Sequence, residues 1–237
     1  MTARVAVLAS GGGTNLQAIL DYLDAQRDGQ AMMVALVASD RPAAGALDRA
    51  RRHGVESVAL DRTQRGEGLA TLLDSHAIDY IALAGYLRFV PMNVTRRWRG
   101  RIVNVHPSLL PSFGGAGMYG IRVHQAAIEA GVRVTGVTVH FVDEEYDRGP
   151  IIAQWPVPVL LGDTAELLAE RVLTVEHALY PVALDAVARG RVTLGDDGRV
   201  VGLASVPELG AFPVAQIRAP SHQPPVASRQ QPEARNL

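Results

Sequence analysis

Short runs of aliphatic and β-branched residues alternate along this chain with longer segments whose apolar residues recur at helical spacing. Residues 4–9 (RVAVLA) are almost entirely apolar, as a strand covered on both faces must be. Over residues 14–26, Leu16, Ile19, Leu20 and Leu23 fall on one side of a 3.6-residue period. The alternation continues with strands at 32–38, 55–60, 80–84 and 101–105, and helices at 43–53, 68–76 and 91–98. A glycine- and proline-rich loop then runs from Pro107 to about Gly120. It is followed by a helix over 123–130, strands at 134–142 and 151–157, and a long helical pattern over 165–189. Such alternation predicts βαβ units and an α/β class protein. The expected architecture is a doubly wound, mainly parallel sheet with helices on both faces. Ligands bind beyond the carboxyl ends of strands in such sheets. The ends of the strands at 4–9, 80–84 and 101–105, with the loop after Val142, are therefore expected to converge on one cleft.

Composition narrows the function classes. With 237 residues, 48% of them hydrophobic, the chain can bury one large α/β core. After about Leu203 the residues turn to Pro, Gln, Ser and Ala. A single domain is expected over 1–203, with a C-terminal extension over 204–237 that is disordered from about residue 221. Basic and acidic residues nearly balance, for a formal charge of −1, so no electrostatic drive toward nucleic acid is present. The first apolar run is six residues long and leads into glycines, unlike a signal peptide. No stretch approaches the roughly 20 apolar residues of a membrane helix. The expectation is a soluble cytoplasmic protein acting on small molecules, with no nucleic-acid or membrane partner. The absence of cysteine excludes disulfides, thiolate catalysis and Cys-ligated zinc. No metal is expected, because no ligand set has zinc spacing.

Three motifs carry chemistry. Ser10-Gly11-Gly12-Gly13-Thr14-Asn15 lies between the first strand and the first helix, where close backbone approach and a helix N-terminus suit an anion. It lacks the Gly-Lys-Ser/Thr of a P-loop, and Leu16 stands where a dinucleotide fingerprint needs glycine, so a phosphate monoester fits better. The structural alternative is a tight turn capped by Thr14 or Asn15. In the second motif, Asn104 and His106 are two apart near a strand end and so share a face. Asn can donate to an oxyanion and His can donate or exchange a proton. The alternative is a buried pair satisfied by backbone. The third is Asp143-Glu144-Glu145-Tyr146-Asp147-Arg148-Gly149-Pro150, in which Gly149-Pro150 forces a turn able to aim Asp147 inward. Chemistry alone does not separate Asp147 from Asp143 or Glu145. His124 and His140 read as structural. Glu176-His177 either reaches the cleft or faces water.

Taken in order, residues 10–17 (SGGGTNLQ), 83–90 (LAGYLRFV), 102–111 (IVNVHPSLLP), 135–150 (TGVTVHFVDEEYDRGP) and 176–181 (EHALYP) resemble the phosphoribosylglycinamide formyltransferase family, over roughly residues 4–195. The Asn-x-His-Pro-Ser-Leu-Leu-Pro motif is shared with other formyltetrahydrofolate enzymes, and the Thr14–Gln17 stretch narrows the resemblance to this family. It implies a Rossmann-like formyltransferase fold and transfer of the formyl group of 10-formyltetrahydrofolate to the amine of glycinamide ribonucleotide in purine synthesis. It also assigns roles. Gly13, Thr14 and Asn15 hold the ribonucleotide phosphate, and Glu176 the ribose hydroxyls. Leu87, Arg88, Phe89 and Val90, with Asn104, line the folate pocket, and Arg62 or Arg65 meets the folate tail. Asn104, His106 and Asp147 form the catalytic set. In that set Asn104 and a protonated His106 stabilise the oxyanion, while Asp147 raises the His106 pKa and relays the amine proton. The loop over 112–123 is longer and richer in glycine than in the family, either as a lid over the ribonucleotide or as plain surface variation. The expected assembly is a monomer or a homodimer. The alternatives are a formyltetrahydrofolate hydrolase, expected to carry an N-terminal regulatory domain, a methionyl-tRNA formyltransferase, expected to carry a C-terminal tRNA domain, and a non-catalytic phosphate- or nucleotide-binding module.

Overall fold

A computed structural model describes residues 2–26 and 29–210. The elements run β1 (Ala3–Leu8), α1 (Thr14–Ala25), β2 (Met32–Ser39), α2 (Gly45–Arg52), β3 (Ser57–Ala59), α3 (Gly68–Ser75), β4 (Tyr80–Leu83), α4 (Met92–Arg97), β5 (Ile102–His106), α5 (Ile121–Glu129), β6 (Val134–Phe141), β7 (Ile151–Pro158) and α6 (Ala165–Ala188). A short hairpin, β8 (Thr193–Leu194) and β9 (Val200–Val201), and a final turn of helix, α7 (Pro207–Gly210), close the described chain. The strands β1 to β7 form one sheet in the order β3-β2-β1-β4-β5-β6-β7. The first five are parallel, β6 runs antiparallel to β5, and β7 antiparallel to β6.

The period-two side-chain alternation of β1 divides the core. Val5 and Val7 point into a large cluster under α1 and α6, whereas Ala6 and Leu8 point into a second cluster with Leu69, Leu73 and Val94 from α3 and α4. Both faces of the central strands are thus covered, which is why they carry so few polar residues. The Tyr180 hydroxyl of α6 reaches the sheet itself, 3.0 Å from the Leu83 carbonyl oxygen and 2.9 Å from that of Val103. It pins the middle of α6 over the carboxyl end of β4 and the first half of β5. Pro181 follows inside the same helix and is buried.

Several boundaries differ from the sequence reading. The third strand is only Ser57–Ala59, because it sits at the sheet edge and pairs with β2 alone over three residues. The fifth strand extends to His106, which pairs with Thr138 of β6. The core also continues beyond residue 203. Val206 and Leu209 are buried in the large cluster, and the Trp155 indole N–H donates to the Leu209 carbonyl at 3.0 Å. Residues 211–237, including those expected to be disordered from 221, lie outside the described residues. Among the described residues no helix is long and apolar enough to cross a membrane.

Candidate active site

The glycine-rich turn after β1 is anchored from three sides. Ser10 donates its hydroxyl to Asp40 at 2.5 Å and accepts the Leu87 N–H at 2.9 Å, tying together the ends of β1, β2 and β4. Ala46 of α2 donates its N–H to the Gly11 carbonyl at 3.1 Å. Gly13 takes a φ of 75°, and a Cβ there would lie 2.7 Å from the Ala46 Cα. Only glycine meets both demands. Gly13 is itself the residue before α1, and no side chain caps that helix, nor does its first turn hold an acidic residue. The expected alternative, a cap by Thr14 or Asn15, is therefore not what the turn forms. The first N–H groups of α1 and its dipole stay available to an anion. Arg49 of α2 adds a cation behind the turn, its Nε–H donating to the Gly12 carbonyl at 2.7 Å.

Asn15 is placed differently from Gly13 and Thr14. Its side-chain amide donates to Glu176 Oε2 at 2.6 Å, and its own Oδ1 is buried with no hydrogen-bond partner among the described residues. Burial pushes the Glu176 carboxyl up to about 7, against the opposing pull of the Asn15 donor. The pair joins the glycine-rich turn after β1 to the middle of α6.

Asn104, His106 and Asp147 meet, although not in the way the strand-end rule predicts. On β5, Val103 and Val105 point into the large core while Asn104 and His106 point to the other face, where their β6 partners are His140 and Thr138. Because β6 is antiparallel, it ends at Phe141 opposite Val103, away from the carboxyl end of β5. The loop after Val142 therefore returns across the sheet face rather than along the strand ends. Gly149 permits this return, since a Cβ there would lie 1.9 Å from the Phe141 carbonyl oxygen. Asp147 adopts a left-handed φ of 54° that turns its carboxylate inward. Its Oδ2 lies 3.5 Å from His106 Nδ1 and accepts the Gly115 N–H at 2.9 Å. Its Oδ1 lies 3.4 Å from the Asn104 amide nitrogen and 3.7 Å from His140 Nε2. Of the neighbouring acids, Glu144 pairs with Arg96 at 2.7 Å, while Asp143, which accepts the Glu145 N–H, and Glu145 line a smaller adjoining cavity and make no contact with His106.

One expectation about His106 needs correction. Asp147 does pull its pKa upward, but the net pKa is lowered. Burial of a ring only 4% exposed outweighs the upward pull of Asp147 and of the Phe113 carbonyl. Its Nε2 is also engaged, bonding to the Phe113 carbonyl at 2.8 Å. Asp147 moves the other way: burial raises its pKa, but His140 and His106 in their protonated forms, together with the Gly115 N–H, hold it below the usual range. The Gly115 donor acts whatever charge the histidines carry.

These groups line a cleft of about 470 Å³. Asn15 and Glu176 stand at one end and Asn104, His106 and Asp147 at the other, with residues 115–121 of the long loop forming a wall. Leu87 belongs to this cleft. Arg88, Phe89 and Val90 line a smaller neighbouring cavity, which shares Asn104, Asp147 and Tyr146 with the cleft. Phe89 and Tyr146 meet edge to face at 5.1 Å. Arg62 is exposed and lines neither cavity. Its alternative, Arg65, is close enough to lower the pKa of Tyr86, whose phenol burial raises to about 12.

Sequence reasoning missed two residues. His140 is 2% exposed and bonds to Asn104, and His124 lines the cleft with a buried Nδ1 that has no partner among the described residues and a pKa lowered by burial to about 4. The available signal for His140 was the polar pair Thr138 and His140 set between the apolar Val137, Val139 and Phe141, the same pattern that marks Asn104 and His106.

The mainly parallel sheet thus carries an antiparallel edge, and the Asn104-His106-Asp147 cluster shares one cleft with Asn15 and Glu176. The formyl transferase family profile matches residues 3–184, and the chain belongs to that family. It is 41% identical over 204 residues to the trifunctional purine biosynthetic protein adenosine-3 of Homo sapiens, a match covering 84% of this chain and 20% of the human protein. The chloroplastic phosphoribosylglycinamide formyltransferase of Arabidopsis thaliana is 39% identical over 203 residues, covering 82% of this chain and 68% of that protein. Among solved structures, glycinamide ribonucleotide transformylase 1 of Symbiobacterium toebii superposes with a TM-score of 0.75 at 43% identity, covering 84% of this chain and 93% of that one.

Proposed function

We propose that the chain transfers the formyl group of 10-formyltetrahydrofolate to the primary amine of glycinamide ribonucleotide, in the synthesis of purines. The observation that carries this reading is the single cleft in which Asn104, His106 and Asp147 face the buried Asn15–Glu176 pair, Asn15 leading into the uncapped α1 N-terminus where Thr14 and Arg49 line a second pocket. A phosphate fits the α1 N-terminus, held by the backbone around Gly13 and Thr14 with Arg49 behind them. Glu176 receives ribose hydroxyls. The folate ring enters beside Arg88, Phe89 and Val90, which brings its formyl group to Asn104.

The amine nitrogen then attacks the formyl carbon, forming a tetrahedral oxyanion. The Asn104 amide donates to that oxygen. His106 joins it once the ligand displaces the Phe113 carbonyl and frees Nε2–H. Donors aimed at developing charge in a dry site are a large source of acyl-transfer catalysis. The low Asp147 pKa keeps its carboxylate ionised, so it can accept the proton shed by the amine, directly or through water. Collapse of the intermediate breaks the bond to the folate nitrogen, which takes up that proton. No covalent enzyme intermediate is needed.

Purified protein incubated with 10-formyltetrahydrofolate, with and without glycinamide ribonucleotide, tests the reading. Amine-dependent formation of tetrahydrofolate and formylated ribonucleotide is expected. Formyl loss at the same rate without the amine would instead make the protein a hydrolase. No turnover in either case would leave a binding module.

A further inference from the structure

We infer that His140 is a positioning residue that makes the Asn104 carboxamide a one-way donor toward the cleft. The inference rests on the formyl-transfer reading and concerns how its oxyanion donor is held. His140 Nδ1 lies 2.7 Å from the Phe141 carbonyl oxygen. A carbonyl accepts only, so the ring carries its proton on Nδ1. In the neutral ring, Nε2 is then a bare lone pair. That lone pair lies 3.1 Å from the Asn104 amide nitrogen. It must therefore meet the NH2 end of the carboxamide, because the oxygen end would set two acceptors against each other.

The consequence concerns charge. A carboxamide can rotate by half a turn about its last torsion at little intrinsic cost. Turned one way, Asn104 offers hydrogens to the reacting oxygen. Turned the other, it offers a carbonyl oxygen, which repels a developing oxyanion. The Nε2 contact holds one amide hydrogen and fixes the productive orientation. The second hydrogen leans toward Asp147 Oδ1 at 3.4 Å, beyond good hydrogen-bond length, so it is free to move to the oxyanion. The 3.7 Å between His140 Nε2 and Asp147 is longer still and does not compete. The fold makes this possible because Asn104 and His140 are direct partners in the antiparallel β5–β6 pairing, with both side chains on the cleft face.

Four measurements test this. Nitrogen NMR of the intact protein is expected to show His140 with Nδ1 protonated and Nε2 bare, and the opposite tautomer would overturn the inference. His140→Leu is expected to lower kcat about 10²-fold, the scale of a lost oxyanion donor, with little change in KM. In an Asn104→Ala background the same substitution is expected to cost almost nothing further. His140→Gln, whose oxygen can take the place of Nε2, is expected to recover most of kcat. A normal kcat in His140→Leu, or a loss that multiplies undiminished onto Asn104→Ala, would overturn it as well. Thermal melts separate these effects from misfolding. If the parent protein fails to transfer formyl to glycinamide ribonucleotide, the functional reading falls, while the tautomer measurement still decides the role of His140.

Discussion

Asn15 and Glu176, 161 residues apart, meet at 2.6 Å and couple the turn after β1 to the middle of α6. Each is nearly buried, and together they close one end of the cleft. Burial lifts the Glu176 pKa from 4.5 to about 7. The unfolded chain ionises this group first, so its contribution to folded stability is lost as pH rises from about 4.5 to about 7. The penalty is complete above that window and on the order of 3 kcal/mol.

Glu176→Gln removes that penalty while keeping an acceptor for Asn15. The variant is expected to melt higher than the parent at pH 8 and at nearly the same temperature at pH 4.5. Its KM for glycinamide ribonucleotide is expected to rise. Thermal melts across pH check the first statement, and an equal offset at both pH values would refute the assignment.

Asp147→Asn removes the ionised partner of His106. Turnover is expected to fall roughly 10²- to 10⁴-fold with the fold intact. Because Asp147 pulls the His106 pKa upward against burial, its loss is expected to move the His106 titration further below 6.5. Histidine NMR reads that shift, and a move upward would show that some other group governs the ring.

Gly13→Ala places a side chain in a left-handed conformation and into the backbone of α2. The strain alone costs about 1–2 kcal/mol, and the overlap adds to it. Gly85→Ala is the matched control. Its φ is 72°, but a Cβ there meets nothing within 4 Å, so it carries only the strain. Gly13→Ala is therefore expected to be the less stable of the two in denaturant titrations and to raise the KM for the ribonucleotide.

Arg49 touches the Gly11–Asn15 turn through the Gly12 carbonyl and also donates to Gln17 at 3.0 Å. Arg49→Ala is expected to raise the KM for the ribonucleotide several-fold, leave kcat near the parent value, and flatten the salt dependence of kcat/KM. An unchanged salt dependence would mean that the helix N-terminus holds the anion without it.

Much of the site was legible because its pieces are local. The Gly11–Asn15 turn and the Asn104/His106 pair each occupy one strand end, where glycine content or side-chain period marks them. Asp147 was singled out only by resemblance, since four acids lie within five residues and nothing local distinguishes them. The left-handed backbone at Asp147 and the Gly149 approach to Phe141 make that choice. His140 was read as structural because its importance lies in a partner on another strand.

By itself the sequence determined the layered α/β class, through apolar periods that only a doubly covered sheet and flanking helices can bury. It also placed the tight glycine turn between β1 and α1, whose left-handed Gly13 a helix entrance there requires. Tertiary structure alone decided the antiparallel direction of β6, and with it the route of the loop after Val142 across the sheet face. It also decided the pairing of His140 with Asn104 and the balance that lowers rather than raises the His106 pKa. Register and burial depend on segments far apart in the chain, and a pKa follows the net of desolvation and neighbouring charge, which no local pattern of residues records.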